Sequence, residues 1–151
     1  MSARIRVVVD TNVWLDWLVF DDPAIAPIRE ARAANRVEIC IDEACEAELV
    51  RVLAYDLGRC ALDAAAQADC LAECRRLARR IDASMPEAER ARLPACRDAD
   101  DQKFLEAALA AGAAFLITRD RALLELAQRA GKEKREAMPF RIVTPEAFAA
   151  V

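Results

Sequence analysis

The sequence predicts an α/β fold in three layers, with helices on both faces of a central parallel sheet. Short, solid apolar runs rich in β-branched residues alternate with longer segments of helical periodicity, which is the composition expected of buried parallel strands and their crossover helices. The chain has 151 residues, the length of one ordinary domain, and contains no internal repeat. We therefore expect residues 1–151 to form a single domain.

Strand and helix signals alternate in the first half of the chain. The β-branched run Ile5–Val9 ends abruptly at Asp10-Thr11-Asn12, as a buried strand does when it leads into a helix cap. Asp21-Asp22-Pro23 breaks the helix that follows, and Asp42 is placed to cap the third helix. The patterns predict strands over 5–9 and 37–41 and helices over 14–20, 24–34 and 43–54.

The second half begins with a long amphipathic pattern over 63–81, which predicts one helix with an apolar stripe. Residues 82–97 contain two prolines and are expected to form an irregular excursion inside the domain. A further helix is predicted to begin near Asp98–Asp101 and to end at Gly112, which is expected to form its C-terminal cap. The remaining patterns predict strands over 115–118 and 140–143, a helix over 122–130 and a short helix at Pro145.

Composition excludes several kinds of chemistry. The chain has no histidine, so it cannot use a histidine base, a Ser-His-Asp triad or a histidine-ligated metal. Its six cysteines form no C-x-x-C pair, and we interpret them as small buried residues of a protein in a reducing compartment. No apolar stretch approaches the roughly 20 residues that span a bilayer. We expect a soluble, cytoplasmic protein without membrane association.

Four acidic residues are predicted to face one edge of the sheet. Asp10 and Asp120 follow directly after predicted strands, and ligands bind beyond the carboxyl ends of parallel strands. Helical phase directs Glu48 towards the core side of its helix, because it lies three residues after Cys45 and four before Val52. Asp101 lies three residues before Phe104 and four before Leu105, so it too is predicted to face the core side of its helix.

Acids gathered at a core boundary repel one another unless a cation lies among them. Oxygen ligands without histidine suit Mg²⁺ or Mn²⁺, and such a cation supports phosphodiester hydrolysis. Each acid also has a structural interpretation that remains open. Asp10 and Asp120 are placed to end strands or cap helices, and Asp98 and Asp101 are spaced like a helix cap and its partner. Glu48 is the hardest to explain by capping, since it lies inside a helix.

Three segments resemble the PIN-domain family: VVVDTN near the start, the helix EACEAELVRVL, and DADDQKFLEAALAAGAAFLITRD. Within that family the chain is most similar to the VapC-type toxin nucleases of bacterial toxin–antitoxin pairs. The resemblance extends over nearly the whole chain, including the closing FRIVTPEAF. Its most specific part is the combination of D-T-N with D-D-x-K-F-L-E-x-A and the T-R-D strand end.

The resemblance implies a metal-dependent endoribonuclease that uses Mg²⁺ or Mn²⁺. By motif position it assigns metal binding and catalysis to Asp10, Glu48, Asp101 and Asp120. It gives Asn12 and Thr118 supporting roles in orienting a ligand or water, and Asp98 a structural role. It also implies an RNA substrate, an antitoxin protein as partner and a homodimer; Trp14 and Trp17 are candidate partner contacts if exposed, and core residues otherwise.

Position 122 departs from the pattern of this subgroup, whose members often carry an acid where this chain has Ala122. The departure leaves open whether one or two metal ions bind. The same departure leaves an alternative open, in which the chain is a catalytically impaired PIN-fold protein that acts as a protein-binding module.

Two other α/β classes fit less well. A phospho-accepting receiver domain needs an acidic pair near the first strand end and a lysine near the last, and Asp10-Thr11-Asn12 and Val143-Thr144-Pro145 supply neither. A dehalogenase-type phosphatase needs D-x-D where this chain has D-T-N.

Overall fold

The computed structural model describes residues 4–55, 57 and 61–151. In this part of the chain, strands and helices alternate in the order that the sequence predicts, with some additions. The strands are β1 (Ile5–Val9), β2 (Val37–Ile41), β3 (Ala78–Arg80), β4 (Phe115–Ile117) and β5 (Arg141–Val143). The helices are α1 (Thr11–Leu18), α2 (Ala26–Ala33), α3 (Glu43–Leu53), α4 (Ala64–Leu77), α5 (Glu87–Arg92), α6 (Gln102–Ala111), α7 (Arg121–Arg129), α8 (Lys132–Glu136) and α9 (Pro145–Ala149).

All five strands lie in one parallel sheet in the order β3-β2-β1-β4-β5. β1 is central: Val7 pairs with Ile39 of β2 on one side, and Val8 pairs with Leu116 of β4 on the other. The predicted three-layer α/β/α class with a central parallel sheet is confirmed. Because β1 and β4 are neighbours, the residues that follow them come together at one edge of the sheet.

Side-chain caps fix where several helices begin. Asp10, Asp42, Asp63, Asp120 and Thr144 each precede a helix and accept a hydrogen bond from a backbone N–H in its first turn. At the other end of α6, Gly112 adopts a φ of +64°, which a residue without a side chain tolerates at little cost. The predicted caps Asp42 and Gly112 are therefore present in the structure.

The helix predicted over 63–81 ends four residues early. Ala78 leaves the helical conformation and pairs with Ile39, so that Ala78–Arg80 forms the edge strand β3. Helical periodicity continues through this segment in the sequence, but the exposed backbone of β2 offers hydrogen-bond partners that a helix could not use. The excursion 82–97 also contains the short helix α5, and α1 begins at Thr11 instead of residue 14.

The apolar core lies on both sides of the sheet. Trp14 and Trp17 belong to it, with exposed fractions of 2% and 8% and ring centroids 5.8 Å apart, which favours their interpretation as core residues. Cys40, Cys45 and Cys74 are buried, as the sequence predicts, and Cys70 and Cys96 are partly buried against the core; Cys60 lies outside the described residues. None of the helices that the structure describes is long and apolar enough to cross a bilayer.

Candidate active site

Asp10 lies at the carboxyl end of β1 and is almost fully buried, with 4% of its surface exposed. Its Oδ1 accepts a hydrogen bond of 3.0 Å from the N–H of Val13, and its Oδ2 accepts one from the hydroxyl of Thr118. Its own N–H donates to the carbonyl of Ile117 in the neighbouring strand at 3.1 Å. The carboxylate is therefore held in one orientation by both α1 and the end of β4.

The buried position of Asp10 disfavours its ionised form. Burial raises the pKa of Asp10 from 3.8 to about 6; the hydrogen bonds from Thr118 and Val13 lower it in part, and the negative charges of Asp120 and Glu48 raise it again. No lysine or arginine among the described residues forms a salt bridge with Asp10. This carboxyl group thus has hydrogen-bond donors but no positive charge beside it.

Asp120 lies at the equivalent end of β4. Its N–H donates to the hydroxyl oxygen of Thr118 at 2.9 Å, and its Oδ1 accepts from the N–H of Ala122 at 2.9 Å. Thr118 is completely buried and connects the two strand ends, because it accepts from Asp120 while it donates to Asp10. The second oxygen of Asp120 remains available to the neighbouring Asp101.

Asp101 ends a short 3-10 turn, Ala99–Asp101, just before α6. Burial raises the pKa of Asp101 to about 7, helped by a hydrogen bond with the carboxyl group of Asp120 and by the charges of Asp120, Asp98 and Glu48. The carboxyl group of Asp101 thus lies beside that of Asp120, and neither forms a salt bridge with a lysine or arginine of the described residues.

Asp98 is exposed and caps the 3-10 turn by accepting from the N–H of Asp100 at 3.0 Å. Asn12 is exposed on the first turn of α1, and its side chain makes no hydrogen bond with the described residues. The sequence prediction placed both residues beside the acids in supporting roles. The geometry is compatible with a structural role for Asp98 and leaves the amide of Asn12 open to solvent.

Glu48 reaches the same region from α3. The hydroxyl of Thr11 donates to its Oε2, and the ammonium group of Lys103 donates to its Oε1 at 2.7 Å. The four predicted acids, Asp10, Glu48, Asp101 and Asp120, thus meet at one edge of the sheet, and we call this group the acidic site. Neither Lys103 nor Thr11 was among the residues that the sequence predicted for this site, although Lys103 follows Asp101 by only two residues and Thr11 follows Asp10 directly.

A second acid of α3 was also missed. Glu46 is more deeply buried than Glu48, with side-chain exposures of 9% and 18%. Its Oε1 accepts two hydrogen bonds from Arg75, and its Oε2 accepts one of 2.9 Å from Arg80. The phase argument used for Glu48 applies equally to Glu46, which lies three residues before the buried Leu49.

The donor set of the acidic site has the chemistry of a divalent-cation site: oxygen atoms only, several of them on carboxyl groups whose ionisation is disfavoured without a positive charge. The arrangement is not ready-made, since no three acidic or cysteine side chains in residues 4–55, 57 and 61–151 stand together in ligating geometry. The carboxyl groups instead accept hydrogen bonds from hydroxyl groups, backbone N–H groups and, at Glu48, one ammonium group. By their chemistry, oxygen donors of this kind would fit a divalent cation.

The sequence profile of the PIN domain matches residues 6–122, a stretch that contains all four acids. The chain belongs to the PIN-domain family. Among solved structures, this PIN domain is similar in fold to a chain in the crystal structure of VapBC2 from Rickettsia felis bound to a DNA fragment from their promoter. The TM-score is 0.59 at 14% sequence identity, and the alignment covers 93% of this chain and 98% of that chain. No curated protein matches the sequence.

The profile match ends at Ala122, the position at which the sequence departs from the expected acidic pattern. The Ala122 side chain carries no ligand atom, and its N–H is used to cap Asp120. The turn between β4 and α7 in this PIN domain thus contributes one carboxyl group to the acidic site.

Proposed function

We propose that this PIN-domain protein is a Mg²⁺- or Mn²⁺-dependent endoribonuclease, and that Asp10, Glu48, Asp101 and Asp120 form its active site. The observation that carries the proposal is the meeting of Asp10, Asp101 and Asp120 at one sheet edge without a basic partner among the described residues. Raised carboxyl pKa values at a cleft or edge are typical of functional sites. Membership of the PIN-domain family supports a nuclease activity in general.

Each residue has a defined task in this proposal. Asp10, Asp101 and Asp120 would supply the oxygen atoms that hold the cation. Glu48 is the fourth acid and lies at the border of the acidic site. When bound, the divalent cation lowers the pKa of a water molecule and offsets charge that develops on the phosphate. Thr118 fixes Asp10 relative to Asp120, because its hydroxyl donates to the carboxylate of Asp10 and accepts from the backbone N–H of Asp120. Asn12 offers an exposed amide to a substrate oxygen or to water.

We further propose that the protein is the toxin of a toxin–antitoxin pair, that its partner is an antitoxin protein, and that it acts on RNA in the cytoplasm as a homodimer. The fold likeness to a chain of the VapBC2 structure over 93% of this chain supports the assignment. A groove of about 880 Å³ is lined in part by Lys103, Asp42 and Arg80. None of the four acids lines it, but Lys103, the partner of Glu48, borders it, so an extended substrate or partner in this groove would lie beside the acidic site.

The proposal is tested by incubating the purified protein with total RNA and mapping new 5′ ends. We expect cleavage with Mn²⁺ or Mg²⁺, no cleavage in excess EDTA, and recovery when Mn²⁺ is added back. Asp101→Asn should be inactive, because one of the three oxygen donors loses its charge. The matched control is Asp100→Asn, which changes the adjacent, exposed aspartate.

Full activity in EDTA would contradict the metal mechanism, and equal loss in Asp100→Asn would contradict the assignment of Asp101. The alternative, a binding module without catalysis, is favoured by Ala122 and by the absence of a ready-made cation geometry in the described residues. If the folded protein cleaves no RNA with any of the metal ions tested, that result would support the alternative.

A further inference from the structure

The ion pair between Lys103 and Glu48 lies at the border of the acidic site and is withdrawn from water. The ammonium nitrogen is 2.7 Å from Oε1 of Glu48, and the side chains are only 16% and 18% exposed. The same ammonium lies 5.8 Å from the centre of the Phe104 ring. Lysine side chains are seldom buried to this extent unless they are paired, so the contact is a fixed part of the site.

Both carboxylate oxygens of Glu48 accept hydrogen bonds, one of them from a charged donor. Lys103 of α6 donates to one oxygen, and the hydroxyl of Thr11 at the start of α1 donates to the other. Thr11 is itself buried, with 7% of its surface exposed. Two different helices therefore hold the carboxylate of Glu48 from both sides.

The other three acids differ from Glu48 in having no basic partner. Among the described residues, Asp10, Asp101 and Asp120 form no salt bridge with a lysine or arginine, whereas Glu48 pairs with Lys103. Both hydrogen-bond donors to the carboxylate of Asp10, the Val13 N–H and the Thr118 hydroxyl, are uncharged. Of the four acids, only Glu48 therefore has its charge balanced by a basic side chain of the described residues.

From this contrast we infer that the ammonium group of Lys103 takes the place of a second metal ion, so that the protein binds one divalent cation on Asp10, Asp101 and Asp120 and none on Glu48. The inference rests on the proposed metal site. A divalent ion on Glu48 would have to share that carboxylate with the ammonium group of Lys103, and two positive charges on one carboxylate repel each other. On the opposite side, Ala122 adds no carboxylate that could hold a second ion.

Lys103 is a positioning residue in this account, and its effect is measured as metal stoichiometry. Mn²⁺ is titrated into the metal-free protein by calorimetry, and free Mn²⁺ is followed by electron paramagnetic resonance. We expect about one Mn²⁺ per chain in the wild type and about two in Lys103→Met, because removal of the ammonium leaves Glu48 uncompensated beside the other acids. Lys103→Arg keeps the charge and should bind about one.

Lys132→Met is the matched control, since Lys132 is exposed on α8 and makes no contact with the acidic site. It should bind the same number of ions as the wild type. Two ions in the wild type, or an unchanged number in Lys103→Met, would overturn the inference and leave the proposed nuclease intact. No Mn²⁺ binding in any of these proteins would overturn both.

A second pair of variants keeps the inference testable if Lys103→Met does not fold. Glu48→Gln should change the Mn²⁺ dissociation constant less than about 3-fold, since Glu48 is not a ligand of the bound ion, whereas Asp10→Asn should weaken it at least about 100-fold. Loss of Mn²⁺ binding in Glu48→Gln to the same extent as in Asp10→Asn would show that Glu48 is a ligand, contrary to the inference.

Discussion

Two acidic regions of this protein lie close together, and the fold gives their carboxyl groups opposite kinds of partner. The first, which we call the Glu46 cluster, consists of Glu46, Arg75 and Arg80, and joins α3 to the end of α4 and to β3. The second is the acidic site, in which Asp10, Asp101 and Asp120 have hydroxyl groups, backbone N–H groups and one another as partners. Glu46 and Glu48, only two residues apart on α3, belong to different groups.

The two groups differ in the direction of their pKa shifts. The hydrogen bonds from Arg75, together with the charge of Arg80, lower the pKa of Glu46 despite its burial. Burial without a basic partner raises the pKa of Asp10 to about 6 and that of Asp101 to about 7. An acid that the fold neutralises with arginine stabilises the fold, whereas acids left without a positive charge are available to an external cation.

The largest difference between the two groups is expected in catalysis. Asp10→Asn should lower the rate of RNA cleavage at least about 1,000-fold, equivalent to about 4 kcal/mol, because one charged cation ligand is lost. Glu46→Gln should cleave within about 3-fold of the wild type, since its partners do not contact the acidic site. Initial rates with a labelled RNA in saturating Mn²⁺ measure both. Equal losses in the two variants would remove the distinction between the groups.

The next effect concerns the stability of the metal-free protein as a function of pH. Asp10 has a folded pKa of about 6 against 3.8 in the unfolded chain, so the folded state binds more protons between these values and loses stability as pH rises through them. Asp10→Asn keeps a capping oxygen and removes this loss. At pH 7.5 in EDTA it should be more stable than the wild type by up to roughly 3 kcal/mol.

Denaturant unfolding of both proteins at pH 4, 5, 6 and 7.5 measures this difference. The advantage of Asp10→Asn should shrink towards pH 4, where the carboxyl group is protonated in both states. Saturating Mn²⁺ should reverse the order at pH 7.5, because only the wild type gains binding energy from the ion. An Asp10→Asn variant that is less stable than the wild type at pH 7.5 in EDTA would show that Asp10 carries a compensating charge.

The smallest effect is expected for Glu46, and its pH dependence has the opposite sign. Glu46→Gln should lower the free energy of unfolding by about 2 kcal/mol at pH 7, through the loss of charge-assisted hydrogen bonds to two half-exposed arginines. The folded pKa of Glu46 lies below its ordinary 4.5, so its contribution is complete above that pH and is lost as pH falls through the folded pKa. Unfolding curves at pH 7 and pH 3 measure the change; a larger deficit at pH 3 would contradict the stabilising role of the cluster.

Sequence patterns predicted those strands of the sheet whose own residues favour the strand conformation. The β-branched run Ile5–Val9 predicted a strand, and Asp10 and Asp120 followed strands that end at the same edge of a parallel sheet. That these two strands are neighbours, so that the two aspartates lie close together, was decided by the fold. β3 was wrongly predicted as the end of a helix, because Ala78–Arg80 becomes a strand through pairing with β2 and not through its own composition. A three-residue edge strand has too few residues to show a period.

Within the acidic site, the sequence indicated Asp10, Glu48, Asp101 and Asp120, and the structure brings them to one edge. It did not indicate that Lys103 balances Glu48, nor that Glu46 is the more buried acid of α3. Phase along a helix identifies its core-facing side, but both glutamates lie near the boundary of that side. Their partners come from α6, α4 and β3, and the distance between those elements depends on how they pack.

By itself, therefore, the sequence determined the fold class, the strand ends that carry aspartates and the absence of any histidine chemistry, since each follows from local pattern or composition. Only the tertiary structure decided which acids are neutralised and which are not. Arg75 and Arg80 reach Glu46 across about 30 residues of chain, and Lys103 reaches Glu48 across more than 50. Charge balance depends on distances of a few ångströms between side chains remote in sequence, and the packing of helices on the sheet sets those distances.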